Sequence, residues 1–170
     1  PSVAVEAGGS FWVVFQTNGA VGGDPDGSIQ ARLYFASGVP VEPQELTLNS
    51  SMSGAQGRPR VAAGNNGIFL AVWENEGSTG TDADGGIQAY YLSSIGDPLG
   101  DEFQVNTYTT GIQARPAVAA HDNGFVVSWQ SQLFAGPDLT RNIRAVRLGL
   151  GNDFAVNTLT ADEQRYPDIA

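Results

Sequence analysis

Apolar residues along this chain come in short, dense runs cut by turn residues. The runs IFLAVW at 68–73 and FVVSW at 125–129 are apolar at nearly every position. Such runs predict strands covered on both faces, not the alternation of a half-solvated sheet. No window keeps a 3.6-residue apolar period through three turns, so helices are not expected. The 22 Gly and 9 Pro, with aromatic and β-branched residues spread between them, punctuate many short strands. The expected class is all-β.

The pattern repeats. PSVAVEAGGSFWVVF from Pro1, PRVAAGNNGIFLAVW from Pro59 and PAVAAHDNGFVVSW from Pro116 are one phrase written three times, and PDIA from Pro167 opens it again. The prolines lie 58, 57 and 51 residues apart. Phe15, Trp73 and Trp129 each precede an isoleucine (Ile29, Ile87, Ile143) by 14 positions, and Asn49, Asn106 and Asn157 each precede the next proline by 10. The third unit is shorter because 148–153 crosses in about half the length a loop that takes 33–45 and 91–102 in the others. The units are therefore 1–58, 59–115 and 116–166, with 167–170 as the first strand of a further one.

Each unit reads as four strands, in the second at roughly 60–63, 68–75, 86–92 and 102–107. Asn66-Gly67 and Asn123-Gly124 suit type I′ hairpins, whose central residues need positive φ. Four antiparallel strands in about 50 residues make one β-propeller blade. The repeat is too long for a solenoid rung and too short for an immunoglobulin-like sandwich. The predicted architecture is a β-propeller-like array of four-stranded antiparallel blades, three repeats plus the first strand of a fourth.

Taken together, Pro-x-Val-Ala, Asn-Gly-Phe-Val-Val-x-Trp, an Asp-rich turn, Ile-Gln-Ala-x-x-Leu and Glu-Phe-Gln-Val-Asn-Thr resemble tandem repeats of large secreted and surface proteins of bacteria. Those proteins are adhesin-like or calcium-associated, and the layout is similar to the FG-GAP type of propeller blade. The resemblance implies an extracellular or cell-surface location and a structural or adhesive role. It covers the whole chain and is specific for architecture rather than activity.

Charge narrows the partners. Eight Arg, no Lys and eighteen Asp plus Glu give a formal net charge of −10. That excludes a basic stripe for nucleic acid. With no Cys, disulfides, thiolate nucleophiles and Cys-based zinc sites are absent. No run approaches the roughly 18 apolar residues of a membrane-spanning helix.

The acids recur at equivalent turns. Asp24, Asp82 and Asp138 each sit nine positions after the aromatic of the second strand, and Asp26 and Asp84 follow two further on, beside Gly27 and Gly85. In the second unit Glu74, Glu76, Asp82 and Asp84 fall within eleven residues with no basic residue among them. Ca²⁺, which takes six to eight oxygen ligands, would relieve their repulsion. The candidate ligands are Asp24, Asp26, Asp82 and Asp84. The competing reading is a plain turn in which Asp-Gly supplies the positive φ. The third unit has Thr140 and Arg141 where the others have Asp and Gly, so a fixed cation excludes a metal there.

Other chemistry is sparse. His121, the one histidine, is expected at an exposed turn. No Gly-x-Ser-x-Gly elbow occurs. Paired carboxylates cleave glycosides, but acids that recur at equivalent turns suggest scaffold, so an enzyme is not expected and a glycoside hydrolase is the least favoured reading. Trp73, Trp129 and Phe15 are expected in the packing between blades. Trp12, Tyr90 and Tyr91 are candidates for stacking a glycan. Gln56, Gln113 and Gln164, three residues before each proline, are expected to hydrogen-bond between blades.

The expected function is a non-catalytic extracellular structural or adhesive propeller module of a larger surface or filament assembly, with a carbohydrate-binding module as the alternative. Three blades leave two open faces, which would expose apolar rows such as that of 11–15. The expected partners are further blades of a longer parent chain, favoured over other copies of itself because PSVA and PDIA would compete for one slot in a dimer.

Overall fold

The computed structural model describes residues 1–19, 25–52, 54–77, 84–122, 124–135, 138–148, 154–157 and 164–169. Twelve strands form three antiparallel sheets among these residues. The first holds β1 (Ser2–Val5), β2 (Phe11–Gln16), β3 (Ile29–Tyr34) and β4 (Leu46–Thr47). The second holds β5 (Gln56–Ala63), β6 (Ile68–Asn75), β7 (Gly86–Ser93) and β8 (Phe103–Gln104). The third holds β9 (Ile112–His121), β10 (Gly124–Ala135), β11 (Asp138–Arg147) and β12 (Phe154–Ala155). In every sheet sequence neighbours pair in order. This is the propeller-type array that the repeats predict.

The blades pack face to face. β1 lies against β5 and β5 against β9, so the first strand of each sheet is the inner one and the short fourth strand forms the outer edge. Alternation along β6 shows why the run at 68–73 is apolar throughout. Phe69, Ala71 and Trp73 join Trp12, Val14 and Ile29 in the core between blades one and two. Leu70 and Val72 join Val118, Val127 and Trp129 in the core between blades two and three. Successive side chains of a strand point to opposite faces, and here both faces meet a neighbouring blade.

The repeated asparagines end each blade in the same way. Asn49, Asn106 and Asn157 each accept, through Oδ1, the backbone N–H of Ile29, Ile87 and Ile143, at 2.8, 2.8 and 2.7 Å. Each side chain thus extends the ladder of a two-residue fourth strand and satisfies a buried donor. The Nδ2 groups of Asn49 and Asn106 donate to Ser51 O and Tyr108 O, both at 3.0 Å.

Four details differ from expectation. Trp73 Nε1 donates to Gln56 Oε1 (3.2 Å) and Trp129 Nε1 to Gln113 Oε1 (2.9 Å). Each pair lies within one sheet, so these glutamines anchor the tryptophan of their own blade and do not bridge blades. The β5–β6 connection is a 3₁₀ turn at Asn65–Gly67, with only Gly67 at positive φ (70°). Four residues separate the strands, too many for a two-residue type I′ turn. In blade three His121 pairs with Gly124, which already belongs to β10, and Asn123 lies outside the described residues. The inner strands also begin upstream of the repeated prolines. Pro59 and Pro116 sit inside β5 and β9 at bulges where the pairing register shifts. Proline is tolerated there because an edge strand at a bulge has no ladder bond to lose.

One face of blade one has no neighbour among the described residues. Val3 and Val5 are both 58% exposed, and Phe11, Val13 and Phe15 on the same side are half-buried. This is the apolar row expected at an open face.

Candidate functional site

The inner strands of blades two and three begin with the same device. Arg58 and Arg115 take φ of 49° and 57°, each directly before a proline, and Tyr166 before Pro167 takes 58°. These are the only non-glycine residues at positive φ among the described residues. A residue preceding proline favours extended backbone, and a non-glycine residue held in the left-handed region costs about 1–3 kcal/mol. Bulges surround Arg58 and Arg115, and the same positive φ at Tyr166 gives three large side chains one backbone geometry.

Arg58, Arg60, Arg115, Tyr166 and Asp168 line a cavity of about 420 Å³ with Pro116 and Pro167. Behind it, Glu74 is buried at 3% exposure. Its Oε1 accepts from Arg58 Nη1 and its Oε2 accepts the Arg115 backbone N–H at 2.8 Å. One carboxylate therefore fixes the arginine of blade two and the strand entrance of blade three. The Arg115 guanidinium lies 4.5 Å from the Tyr166 ring centroid, a cation–π contact. Arg60 Nη1 donates to Pro59 O at 3.0 Å.

A second cavity, of about 450 Å³, opens between blades two and three where the inner strands end. Tyr91, Phe125, Ile68, Leu99, Asn65 and Asp122 line it. Tyr91 stacks on Phe103 at 5.4 Å between centroids and leans on Phe125 at 6.0 Å. Burial raises the Tyr91 phenol above its ordinary value of 10.0. The neighbouring Tyr90 is raised mainly by burial and further by the charge of Asp101. Asn65 Nδ2 donates to Asp122 O at 2.8 Å and links the two blades beside this cavity.

Of the glycan-stacking candidates, Trp12 is withdrawn. It is 2% exposed and its Nε1 donates to Ser93 O at 2.8 Å, tying blade one to blade two. Trp73 and Trp129 are fully buried, as packing between blades requires. Tyr91 does reach a cavity. His121 ends β9, and its Nε2 accepts from Arg147 Nε at 2.8 Å.

Of the proposed calcium ligands, Asp24 and Asp82 lie outside the described residues. Asp26 and Asp84 stand beside Gly27 and Gly85, whose φ values of 101° and 99° carry the turn. A Cβ at Gly27 would lie 2.3 Å from Thr17 O, and one at Gly85 would lie 2.5 Å from Asn75 O, so only glycine closes these connections onto the second strand. Among the described residues no three His, Asp or Glu side chains gather into a metal-holding group. In blade three β10 and β11 run on to Ala135 and Asp138, which pair directly. Arg141 lies inside that hairpin, its Nε donating to Gln132 Oε1 at 3.0 Å.

The arginine cavity left a signal of two kinds: Arg58 and Arg115 repeat before the proline, while the position after it changes from Ser2 to Arg60, Ala117 and Asp168, of which Arg60 and Asp168 line the cavity.

No protein-family model and no curated protein sequence matches the chain. Among solved structures the chain resembles that of a thermostable family-43 glycoside hydrolase, with a TM-score of 0.56 and 13% identity over 92% of this chain. The chain spans about half (53%) of that protein. At this identity the likeness shows the fold alone, and it adds no tie to adhesin-like surface proteins. It does correct the expectation that the chain is not an enzyme, because the scaffold it shares is one on which a glycoside hydrolase is built. That expectation rested on acids recurring at equivalent turns. Asp24 and Asp82 of those turns lie outside the described residues, whereas the cavity takes Arg58 and Arg115 from equivalent positions and adds Arg60, Tyr166 and Asp168.

Proposed function

We propose that the chain forms three consecutive blades of an extracellular or cell-surface β-propeller that engages carbohydrate, with the axial cavity of Arg58, Arg60, Arg115, Tyr166 and Asp168 as the contacting site. The observation that carries this reading is the convergence there of arginines from the inner strands β5 and β9 with Tyr166 and Asp168, supported by the likeness to a glycoside hydrolase. Guanidinium, carboxylate and aromatic groups in one open cavity supply the donors, acceptor and ring face that a saccharide needs. A glycan array probed with the chain, with and without calcium, tests the reading. Binding to a defined set of glycans is expected, and no binding to any would remove it.

Glycoside hydrolysis at the same cavity is the second reading, favoured by the same likeness. That chemistry uses two carboxyl groups. Asp168 is the carboxylate that lines the cavity among the described residues, and Glu74 is engaged by Arg58 and Arg115. Release of reducing ends from a bound oligosaccharide, lost in Asp168→Asn, would move the reading from binding to hydrolysis.

The open face of blade one fits a further blade. By the repeat register, Phe11, Val13 and Phe15 correspond to Phe69, Ala71 and Trp73, which blade two presses against blade one. The chain alone is therefore expected to self-associate through this face in light scattering, and Val3→Glu with Val5→Glu to make it monomeric. A monodisperse wild-type monomer would remove this proposal.

A further inference from the structure

We infer that the axial cavity recognises the carboxylate of an acidic sugar, a hexuronate unit of an oligosaccharide. This rests on the carbohydrate-engaging reading above and names its ligand class. Three of the eight arginines of a chain with net charge −10 line this one cavity. In so acidic a protein, two arginines of this cavity, Arg60 and Arg115, that form no ion pair among the described residues point to an anion supplied from outside.

The partners divide the arginines into two kinds. Arg58 is neutralised by Glu74. Arg60 and Arg115 have no carboxylate within ion-pair distance among the described residues. Arg60 touches a carbonyl and Arg115 a ring face, and both contacts leave the charge uncompensated. Asp168 is the one carboxylate lining the cavity among the described residues. A bulge surrounds Arg58 and another Arg115, and Arg58, Arg115 and Tyr166 all hold positive φ, so the backbone that lines the cavity is set by the fold.

Planar guanidinium groups match a planar carboxylate with paired hydrogen bonds. Asp168 then discriminates among anions. Its charge repels a doubly charged phosphate more strongly than a singly charged carboxylate, while its oxygens accept from the hydroxyl groups that a sugar ring carries. Tyr166, 63% exposed, offers the apolar edge on which a pyranose ring rests. A hexuronate supplies the carboxylate, the hydroxyls and the ring face together.

Isothermal titration calorimetry of the whole chain with trigalacturonate, the neutral galactose trisaccharide and inorganic phosphate tests this. Trigalacturonate is expected to bind at least about tenfold more tightly than the neutral sugar, since a hydrogen bond to a charged group contributes that much or more. Arg60→Gln, at an exposed position, is expected to remove the preference with an unchanged melting temperature, and Arg115→Gln to do the same by an independent route. Equal binding of both trisaccharides, unaffected by either variant, would overturn the acidic-sugar inference and leave the carbohydrate reading standing. Tighter binding of phosphate than of trigalacturonate would overturn it in favour of a general anion site. Binding of neither sugar, with a glycan array also blank, would overturn both readings.

Discussion

At the outer end of each blade the three repeats do the same thing, and at the axis they do different things. Asn49, Asn106 and Asn157 make one hydrogen bond three times, within a tenth of an ångström of one another. Ser2, Arg60, Ala117 and Asp168, one position after each repeated proline, are four different side chains, and of these Arg60 and Asp168 line the axial cavity. A group whose job is to finish a strand ladder meets the same backbone in every blade, so one residue type serves each time. A group that faces a shared cavity meets a different neighbour in each blade, and one ligand needs unlike contacts from each side. Repetition therefore marks what holds a blade together, and departure from it marks where the blades act jointly.

The sharpest way to break this division is to remove a repeated core group. Trp73 is fully buried between blades one and two and is anchored by Gln56. Trp73→Ala is expected to cost about 3–5 kcal/mol, as large-to-small changes of buried aromatics do. Chemical denaturation would show it as a fall in midpoint. A loss below 1 kcal/mol would mean that the blades do not share a core.

The asparagine bonds come next. Asn106 is 3% exposed and satisfies a buried N–H. Asn106→Ala should cost about 1–3 kcal/mol, the range for leaving a buried donor unpaired. Asn157 makes the same bond in a partly buried setting, where water replaces a lost acceptor more easily, so Asn157→Ala should cost less. Equal losses would show that burial does not set the value of this bond.

The blade architecture was legible because it rests on local, repeated signals: the 14-residue spacing from aromatic to isoleucine, the asparagine ten residues before the proline, and apolar runs needed only by strands covered on both sides. The role of Gln56 and Gln113 was misread because sequence spacing does not say whether a polar group faces its own blade or the next. Trp12 was misjudged for a related reason. An aromatic out of register resembles a ligand platform, yet its ring fills the interface and its N–H reaches Ser93 O. The axial cavity was illegible because its residues come from different repeats, at sequence separations of about 50, and are brought together only by the packing of β5 against β9 and the approach of 166–168.

The acidic turns separate blades one and two from blade three, and calcium sharpens that difference. Calcium bound at the turns of Asp26 and Asp84 would raise the melting temperature, since a ligand at ten times its dissociation constant adds about 1.4 kcal/mol. Differential scanning calorimetry in millimolar calcium and in chelator is expected to show that rise, and Asp26→Asn with Asp84→Asn to abolish it. A melting temperature indifferent to calcium would leave these aspartates as turn residues alone, with Gly27 and Gly85 supplying the geometry.

The smallest expected effect lies on β7, where Tyr91 lines the cavity between blades two and three and Tyr90 packs against the core between blades one and two. Burial raises the phenols of Tyr90 and Tyr91 above their ordinary value of 10.0, with Asp101 adding to the shift at Tyr90. A raised folded-state value means that the native chain keeps these protons when the unfolded chain has lost them. Their stabilising contribution is therefore complete below pH 10 and is lost as pH climbs from there through the folded-state values. Ultraviolet absorbance during an alkaline titration is expected to show two of the five tyrosines ionising later than the rest. Tyr91→Phe should remove one late step and leave the neutral-pH melting temperature nearly unchanged, because the ring contacts with Phe103 and Phe125 survive. If all five tyrosines ionised together, Tyr90 and Tyr91 would be as open to solvent as the others, and burial would not hold their protons.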